Sequence, residues 1–394
     1  MRILACADIH LGSGLQYGRD DATGTNSRMA DWLDTMDNIT DIAVENQVDA
    51  VIFAGDLFKD RRPTPQLLAY AIRWLNGFYP CPIVLIVGNH DLNGDGSMGP
   101  VELMALLESE KIYVSSQPEI LTVSTKSGEL QVVTMPTFST STVKQYDEFR
   151  GLPVDQLNTM LAQKGTDIIR YLADQLDPGL PAILALHGTV SGAVNGSERS
   201  MMMAQEPIFA LHDIALPQFS YVALGHVHRH QALSTLPGQP PVVYSGSIER
   251  VDFGELEPKG VVIADFGVPG AVYPKPTKWE FVDLNTRPFV QIDLDPKNIP
   301  DVGGAVVKAT IQTDLETAKT LSTMQISKQL YEAGASFVAG VQIEVERETR
   351  TRDAGMTEHL TTSQALGRYI EQQPDLAARK DRLIAKIAEL EAAV

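Results

Sequence analysis

The stretch Ile83-Val84-Leu85-Ile86-Val87-Gly88-Asn89-His90-Asp91 decides the fold. Five apolar, mostly β-branched residues read as a buried strand; Gly88 breaks it, and three chemistry-bearing side chains follow at once. The same arrangement occurs four more times. Ile3 to Ala7 precede Asp8, Ile9 and His10; Val51 to Ala54 precede Gly55 and Asp56; Ile183 to Leu186 precede His187; and Tyr221 to Leu224 precede Gly225, His226, Val227 and His228. Between these runs lie helical spacings: Trp32, Leu33, Met36, Ile39 and Ala43, then Leu67, Leu68, Ala71, Ile72 and Leu75, cut off by Gly77 and Pro80. Alternating strands and helices of this kind build a layered α/β sheet.

Ligands of α/β sheets gather beyond the carboxyl ends of strands, so five strands deliver nitrogen and oxygen donors to one edge. Five of the eight histidines fall in these segments. In extended chain, residues i and i+2 share a side, which pairs Asp8 with His10 and His226 with His228. The donors suffice for two metal ions: Asp56 bridges, Asp8, His10 and His228 complete one shell, and Asn89, His187 and His226 the other. Two such ions clamp a phosphoryl group and activate a water, which is phosphoester hydrolysis without a covalent intermediate. Mixed imidazole, carboxylate and amide donors favour Mn²⁺, Fe²⁺ or Zn²⁺ over Mg²⁺, with Mn²⁺ the expected ion. His90 is surplus to the ligand count and is the candidate general acid. Asp91 is expected to orient that imidazole, or else to cap a helix. Taken singly, an Asp-x-His pair also reads as a cap, Gly-Asp as a turn and His187 as a buried structural histidine; the order of the segments is what points to a site.

The chain has 394 residues, 44% of them hydrophobic, enough for two or three domains with a substantial core. Cys6 and Cys81 cannot form a disulfide framework, and with no signal-like N-terminus or run of about 18 apolar residues the chain is expected in the cytoplasm, away from membranes. The net charge of −18 argues against broad non-specific nucleic-acid affinity but leaves room for a local basic cluster, Lys59, Arg61 and Arg62, just after Asp56. From Pro288 the texture changes. Phe289 to Leu294, Ala305 to Ile311 and Phe337 to Val345 read as strands, and Leu315 to Ala333 as a helix. Two further helical stripes follow: Leu366, Tyr369 and Ile370, then, past Pro374, Leu383, Ile384, Ile387 and Leu390. Neither stripe can be buried by its own helix alone.

The five segments, in order, resemble the motif series of the calcineurin-like metallophosphoesterases. Tyr244-Ser245-Gly246-Ser247-Ile248-Glu249-Arg250, then Phe253, Gly254 and Glu255, together with Arg62 and Pro63, resemble the SbcD family of double-strand-break repair nucleases. The resemblance implies a layered β-sandwich core flanked by helices (1–282), a small α+β cap domain (283–350) and a helical C-terminal tail (351–394). It also implies a two-metal DNA nuclease, a 3′-to-5′ exonuclease and single-strand endonuclease, that dimerises and pairs with an SbcC-type coiled-coil ATPase. One position departs from the family: Lys59 stands where a histidine associated with exonuclease activity is common. Two other readings stay open, a phosphodiesterase or phosphatase acting on a nucleotide or phosphoprotein, and a non-catalytic DNA-end scaffold.

Overall fold

Small and branched residues alternate along the strand runs, and this alternation sets the layers. The computed structural model describes residues 1–20, 22, 24–93, 97–107, 109–137, 151–194, 196, 206–234, 238–266, 277–345, 361–371, 376 and 379–391. In chain order the strands are β1 Arg2–Cys6, β2 Ala50–Phe53, β3 Ile83–Ile86, β4 Ile112–Ser115, β5 Glu119–Thr125, β6 Gly128–Met135, β7 Ala182–His187, β8 Thr189–Val190, β9 Ile208–Phe209, β10 Tyr221–Gly225, β11 Gln231–Ser234, β12 Val242–Tyr244, β13 Gly260–Asp265, β14 Lys278–Asp283, β15 Phe289–Asp293, β16 Val306–Thr313 and β17 Phe337–Val345. Two six-stranded sheets result, ordered β14-β13-β1-β2-β3-β4 and β11-β12-β10-β7-β6-β5. β1 to β4 pair in parallel, as do β6, β7, β10 and β12. Antiparallel strands stand at three of the four sheet edges, and β4, parallel to β3, is the fourth.

The two sheets share one apolar layer. Ile3, Ala5, Ala7, Ile52, Ala54 and Ile86 from the first meet Val132, Ile183, Ala185, Tyr221, Ala223 and Val243 from the second. The opposite faces are covered by helices. α1 (Ser27–Glu45) and α2 (Pro65–Gly77) lay Trp32, Met36, Ile39 and Trp74 over Leu4, Cys6, Phe53 and Leu85. Asn26 caps α1 by accepting from the Arg28 amide, and Thr64 caps α2 ahead of Pro65. On the other side α3 (Val154–Ala173) and α4 (Leu211–Ile214) place Ile169, Ala173 and Ile214 against Leu184, Leu186 and Leu224. Central strands buried on both faces explain why their sequences are continuous apolar runs rather than alternations with polar residues.

The chain divides into two compact units, Met1–Ile311 with Leu321–Ile343, and Gln312–Thr320 with Glu344–Val394. Strands β15, β16 and β17 form a three-stranded sheet with its own core of Leu294, Val307, Ala309, Ile326 and Leu330. The helix expected over Leu315 to Ala333 is two, α5 (Leu315–Thr320) and α6 (Thr323–Glu332), because Ser322 caps a fresh start by accepting from the Gln325 amide. In the second unit α7 (Thr362–Glu371) and α8 (Lys380–Glu391) pack on each other: Ile370 is buried and Ile384 reaches the Gly367 position. Pro374, expected to separate them, lies outside the described residues.

The two sheets are in tight contact at Gly225, where an added Cβ would strike the Ala54 carbonyl oxygen and crowd Ala7. That oxygen already accepts from His187 Nδ1 at 2.7 Å. Gly225→Ala is therefore expected to lower stability by about 1–3 kcal/mol, the usual cost of overpacking, read as a lower urea midpoint with unchanged slope.

Candidate metal centre

Five strands from both sheets end at one edge, and each carries donors at or just past its last residue. Asp8 and His10 follow β1, Asp56 follows β2, Asn89 and His90 follow β3, His187 closes β7, and His226 and His228 follow β10. The extended geometry expected to pair Asp8 with His10 and His226 with His228 is not what the backbone adopts, and His226 and His228 fall in different donor groups. Asp8 (φ 53°), His10 (φ 48°), Asp56 (φ 60°) and His226 (φ 101°) all adopt positive φ, the region non-glycine residues rarely occupy. Tight left-handed turns, rather than strand continuation, aim these side chains inward.

The donors form two adjoining groups. In the first, His10 Nε2 and His228 Nε2 approach to 2.9 Å beside the Asp8 carboxylate. In the second, Asn89 Oδ1 lies 3.0 Å from both His187 Nε2 and His226 Nδ1. Asp56 Oδ2 stands between them, 3.6 Å from His10 Nε2 and 3.3 Å from His187 Nε2. Buried imidazole nitrogens this close to each other and to carboxylates are a chemistry that divalent cations satisfy. The charges are strongly perturbed. Burial lifts the Asp8 carboxyl to about 6, against the pull of His187 and His228. Burial also pushes Asp56 upward, but His187 and His10 outweigh it and hold the carboxyl below the usual carboxylate range. His10 is driven well below an ordinary histidine by burial, whereas for His187 the Asp56 carboxylate overcomes burial and raises it to about 9.

The model of the calcineurin-like phosphoesterase family matches residues 1–230. The chain belongs to that family. The expected layered α/β fold and the family resemblance are thereby borne out, and the family's dinuclear metal site fits the donor set. Along its length the chain is similar to DNA double-strand break repair protein Mre11 of Archaeoglobus fulgidus, 26% identical over 375 residues, covering 88% of this chain and 74% of that one. It is also similar to the SbcD component of the nuclease SbcCD of Bacillus subtilis, 26% identical over 418 residues, covering 100% of this chain and 98% of that one.

Around the donor groups of this calcineurin-like phosphoesterase the structure adds groups that sequence reasoning missed. Glu255 Oε1 accepts from His228 Nδ1 at 2.8 Å, while its other oxygen takes the Val251 amide and faces Lys259 Nζ at 3.3 Å. Glu206 Oε2 lies 2.9 Å from His226 Nε2, and its Oε1 accepts from Thr189 Oγ1. Both carboxylates are held below their ordinary range; burial opposes this, and the histidine hydrogen bonds overcome it. Each favours the tautomer whose other ring nitrogen is an acceptor turned toward the donor groups, Nε2 of His228 toward His10 and Nδ1 of His226 toward Asn89. Glu255 stands in the Phe253-Gly254-Glu255 motif, which signals the residue but not its role; Glu206 has no signal, lying in a connection 20 residues before His226.

The expected role of Asp91 is corrected. Its carboxylate does not orient His90; it is fully buried and accepts from the amides of Gly88, Asp56, Leu57 and Phe58 at 3.0–3.3 Å. Burial and the Asp56 charge raise it to about 7, against the four donors that favour its ionised form. His90 is oriented by a backbone group instead, Nδ1 lying 2.8 Å from the Lys59 carbonyl, and its own amide donates to Asp56 Oδ1 at 2.8 Å. His90 also comes within ligand reach of His10 and Asp56. Lys59, Arg61 and Arg62 are exposed, and among the described residues their side chains make no ion pair. Asp91→Ala would leave four buried amides without an acceptor, at about 1–3 kcal/mol for each not rescued by water. The expected result is a loss of at least about 3 kcal/mol in urea unfolding, with metal binding lost in the same variant; a near-neutral effect would show that water replaces the carboxylate.

Proposed function

We propose that this chain is the nuclease component of an SbcCD-like DNA-end processing complex, a two-metal phosphodiesterase that cuts DNA as a 3′-to-5′ exonuclease, a single-strand endonuclease or both. The observation that carries the reading is the convergence of Asp8, His10, Asp56, Asn89, His187, His226 and His228 into two adjoining donor groups, in a chain that aligns end to end with an SbcD nuclease component. These residues would hold two divalent cations, Mn²⁺ in this reading, which would supply Lewis acidity toward the phosphoryl group and the attacking water. His90 does the proton work. With Nδ1 donating to the Lys59 carbonyl, it is the doubly protonated ring that delivers its Nε2 proton to the departing alkoxide, leaving the neutral imidazole with its remaining proton on Nδ1. Because a main-chain oxygen holds His90, the lysine that replaces the family histidine leaves this step intact. Its side chain, with Arg61 and Arg62, supplies charge for backbone phosphates on either side of the scissile bond.

In the same reading residues 1–282 are the nuclease domain, 283–350 the cap and 351–394 the tail. The tail docks on the coiled coil of an SbcC-type ATPase, and the chain works as a homodimer in the cytoplasm. Among the described residues no helix is long and apolar enough to cross a membrane. The deciding assay incubates the purified chain and Mn²⁺, with and without the ATPase, with end-labelled duplex and closed single-stranded DNA, and in parallel with bis-p-nitrophenyl phosphate. Cleavage of DNA is expected. Turnover of the small ester with every DNA left intact in both arms would favour a nucleotide or phosphoprotein hydrolase, and no turnover of any substrate would favour a DNA-end scaffold.

His90→Asn is expected to keep both ions and lose about 10²–10⁴ in rate, measured as metal content beside turnover; loss of metal would make His90 a ligand. Lys59→Ala is expected to weaken DNA binding and reduce the salt slope by about 0.7–0.9 while sparing the small ester. Equal slopes for the variant and the unaltered chain would make Lys59 a solvated surface residue.

A further inference from the structure

The two donor groups are unequal in what stands behind them. In the first, Asp8 supplies a carboxylate of its own in addition to Asp56, and His228 is backed by Glu255, which is 1% exposed. Glu255 is in turn fixed by the Val251 amide and by Lys259, a fully buried ammonium that also meets Ser247 Oγ and Glu257 at 2.9 Å. In the second, Asn89, His187 and His226 supply an amide and two imidazoles, and among the described residues Asp56 is the one carboxylate in direct reach. His187 is oriented by the Ala54 carbonyl, a neutral acceptor, and His226 by Glu206, whose side chain is 22% exposed. Among the described residues, the hydroxyl of Thr189 anchors the other Glu206 oxygen.

We propose that Glu206 is a positioning residue that sets how tightly the second divalent cation is held, and that the two cations bind with unequal affinity: the first tightly, between Asp8, His10 and His228, the second weakly, between Asn89, His187 and His226. The inference rests on the two-metal reading of the site. Where an ion meets one shared carboxylate and three neutral donors, a negative charge one hydrogen bond further out contributes a larger share of the attraction. Glu206 supplies that charge through the imidazole, and it also locks His226 in the tautomer that turns Nδ1 toward Asn89. Its position at the solvent margin makes the hold adjustable: a carboxylate that loses its Thr189 anchor releases the ring of His226, while Glu255 has no comparable freedom.

The test is a calorimetric titration of the metal-free full-length chain with Mn²⁺ alone. The unaltered protein is expected to show two classes of one ion each. Glu206→Gln is expected to weaken the weaker class 10- to 100-fold and leave the tighter one unchanged. Thr189→Val should weaken the same class by less, and Glu206→Asp should recover part of the affinity, an outcome that a merely structural role for the residue does not produce. In turnover, the same Glu206→Gln protein should need 10- to 100-fold more Mn²⁺ for half-maximal rate and reach a similar plateau. Two equivalent ions in the unaltered chain, or a Glu206→Gln protein with an unchanged weaker class or a shifted tighter one, overturns the proposal. The titration contains no DNA, so two classes responding as expected in a chain that cuts no DNA would sink the nuclease reading alone; DNA cleavage with two equivalent ions would sink this one alone.

Discussion

One buried carboxylate holds the catalytic edge in shape. Asp91 gathers the amides of Gly88, Asp56, Leu57 and Phe58, and so ties the turn after the second strand to the turn after the third. Those turns contain what the site needs most and what the backbone resists most. Positive φ at Asp8, His10, Asp56 and His226 costs on the order of 1–3 kcal/mol each, and such conformations persist only where their surroundings over-determine them. Asp91 supplies that constraint for Asp56, and the Asp8 carboxylate, accepting from the His226 amide, supplies it across the sandwich. The same groups that form the site also lock its backbone.

The Tyr244–Arg250 segment, which carries much of the family resemblance, is scaffolding. Glu249 accepts from Thr35 and pairs with Arg28, both on the first helix and both buried. Arg250 spans the carbonyls of Glu255 and Glu257 and the hydroxyl of Thr286. Arg28 pairs in addition with Asp31, which takes a two-pronged grip from Arg287. A buried pair of this kind contributes little net stability but is costly to break on one side. Its effect is to fix where the loop bearing Glu255 stands, and through Glu255 the ring of His228.

The convergence of the donors is legible in the sequence because every one lies within a few residues of the end of an apolar run, so one rule about strand ends brings them to the same edge. Strand geometry is nonetheless the wrong reason for the pairs: Asp8 and His10 meet through left-handed turns, which sequence does not announce in a non-glycine residue. The role of Asp91 escapes a sequence reading because its partners are main-chain amides up to 35 residues away, and amides leave no trace in a residue pattern. Glu206 is invisible for a related reason, since its contact with His226 depends on where a connection returns to the edge. The break between the two helices after Leu315 goes unread because Ser322 looks like any polar helix residue until its neighbours are seen.

The small inner-face residues Ala5, Ala7, Ala54, Ala185 and Ala223 let the two sheets approach, and the donors reach the edge from both. Asp8, Asp56 and Asn89 belong to one sheet and His187, His226 and His228 to the other. An ion bound among them would be a rivet through the sandwich, adding to the few hydrogen bonds, His226 amide to Asp8 and His187 to the Ala54 carbonyl, that join layers otherwise held by non-directional apolar packing. A ligand that the folded state binds and the unfolded state does not stabilises by RT ln(1 + [L]/Kd), about 2.7 kcal/mol at a hundredfold excess over Kd. Metal supply thus acts on the survival of the protein as well as on its chemistry. Chelation should loosen the edge where the sheets meet before it touches the helices that cover their outer faces.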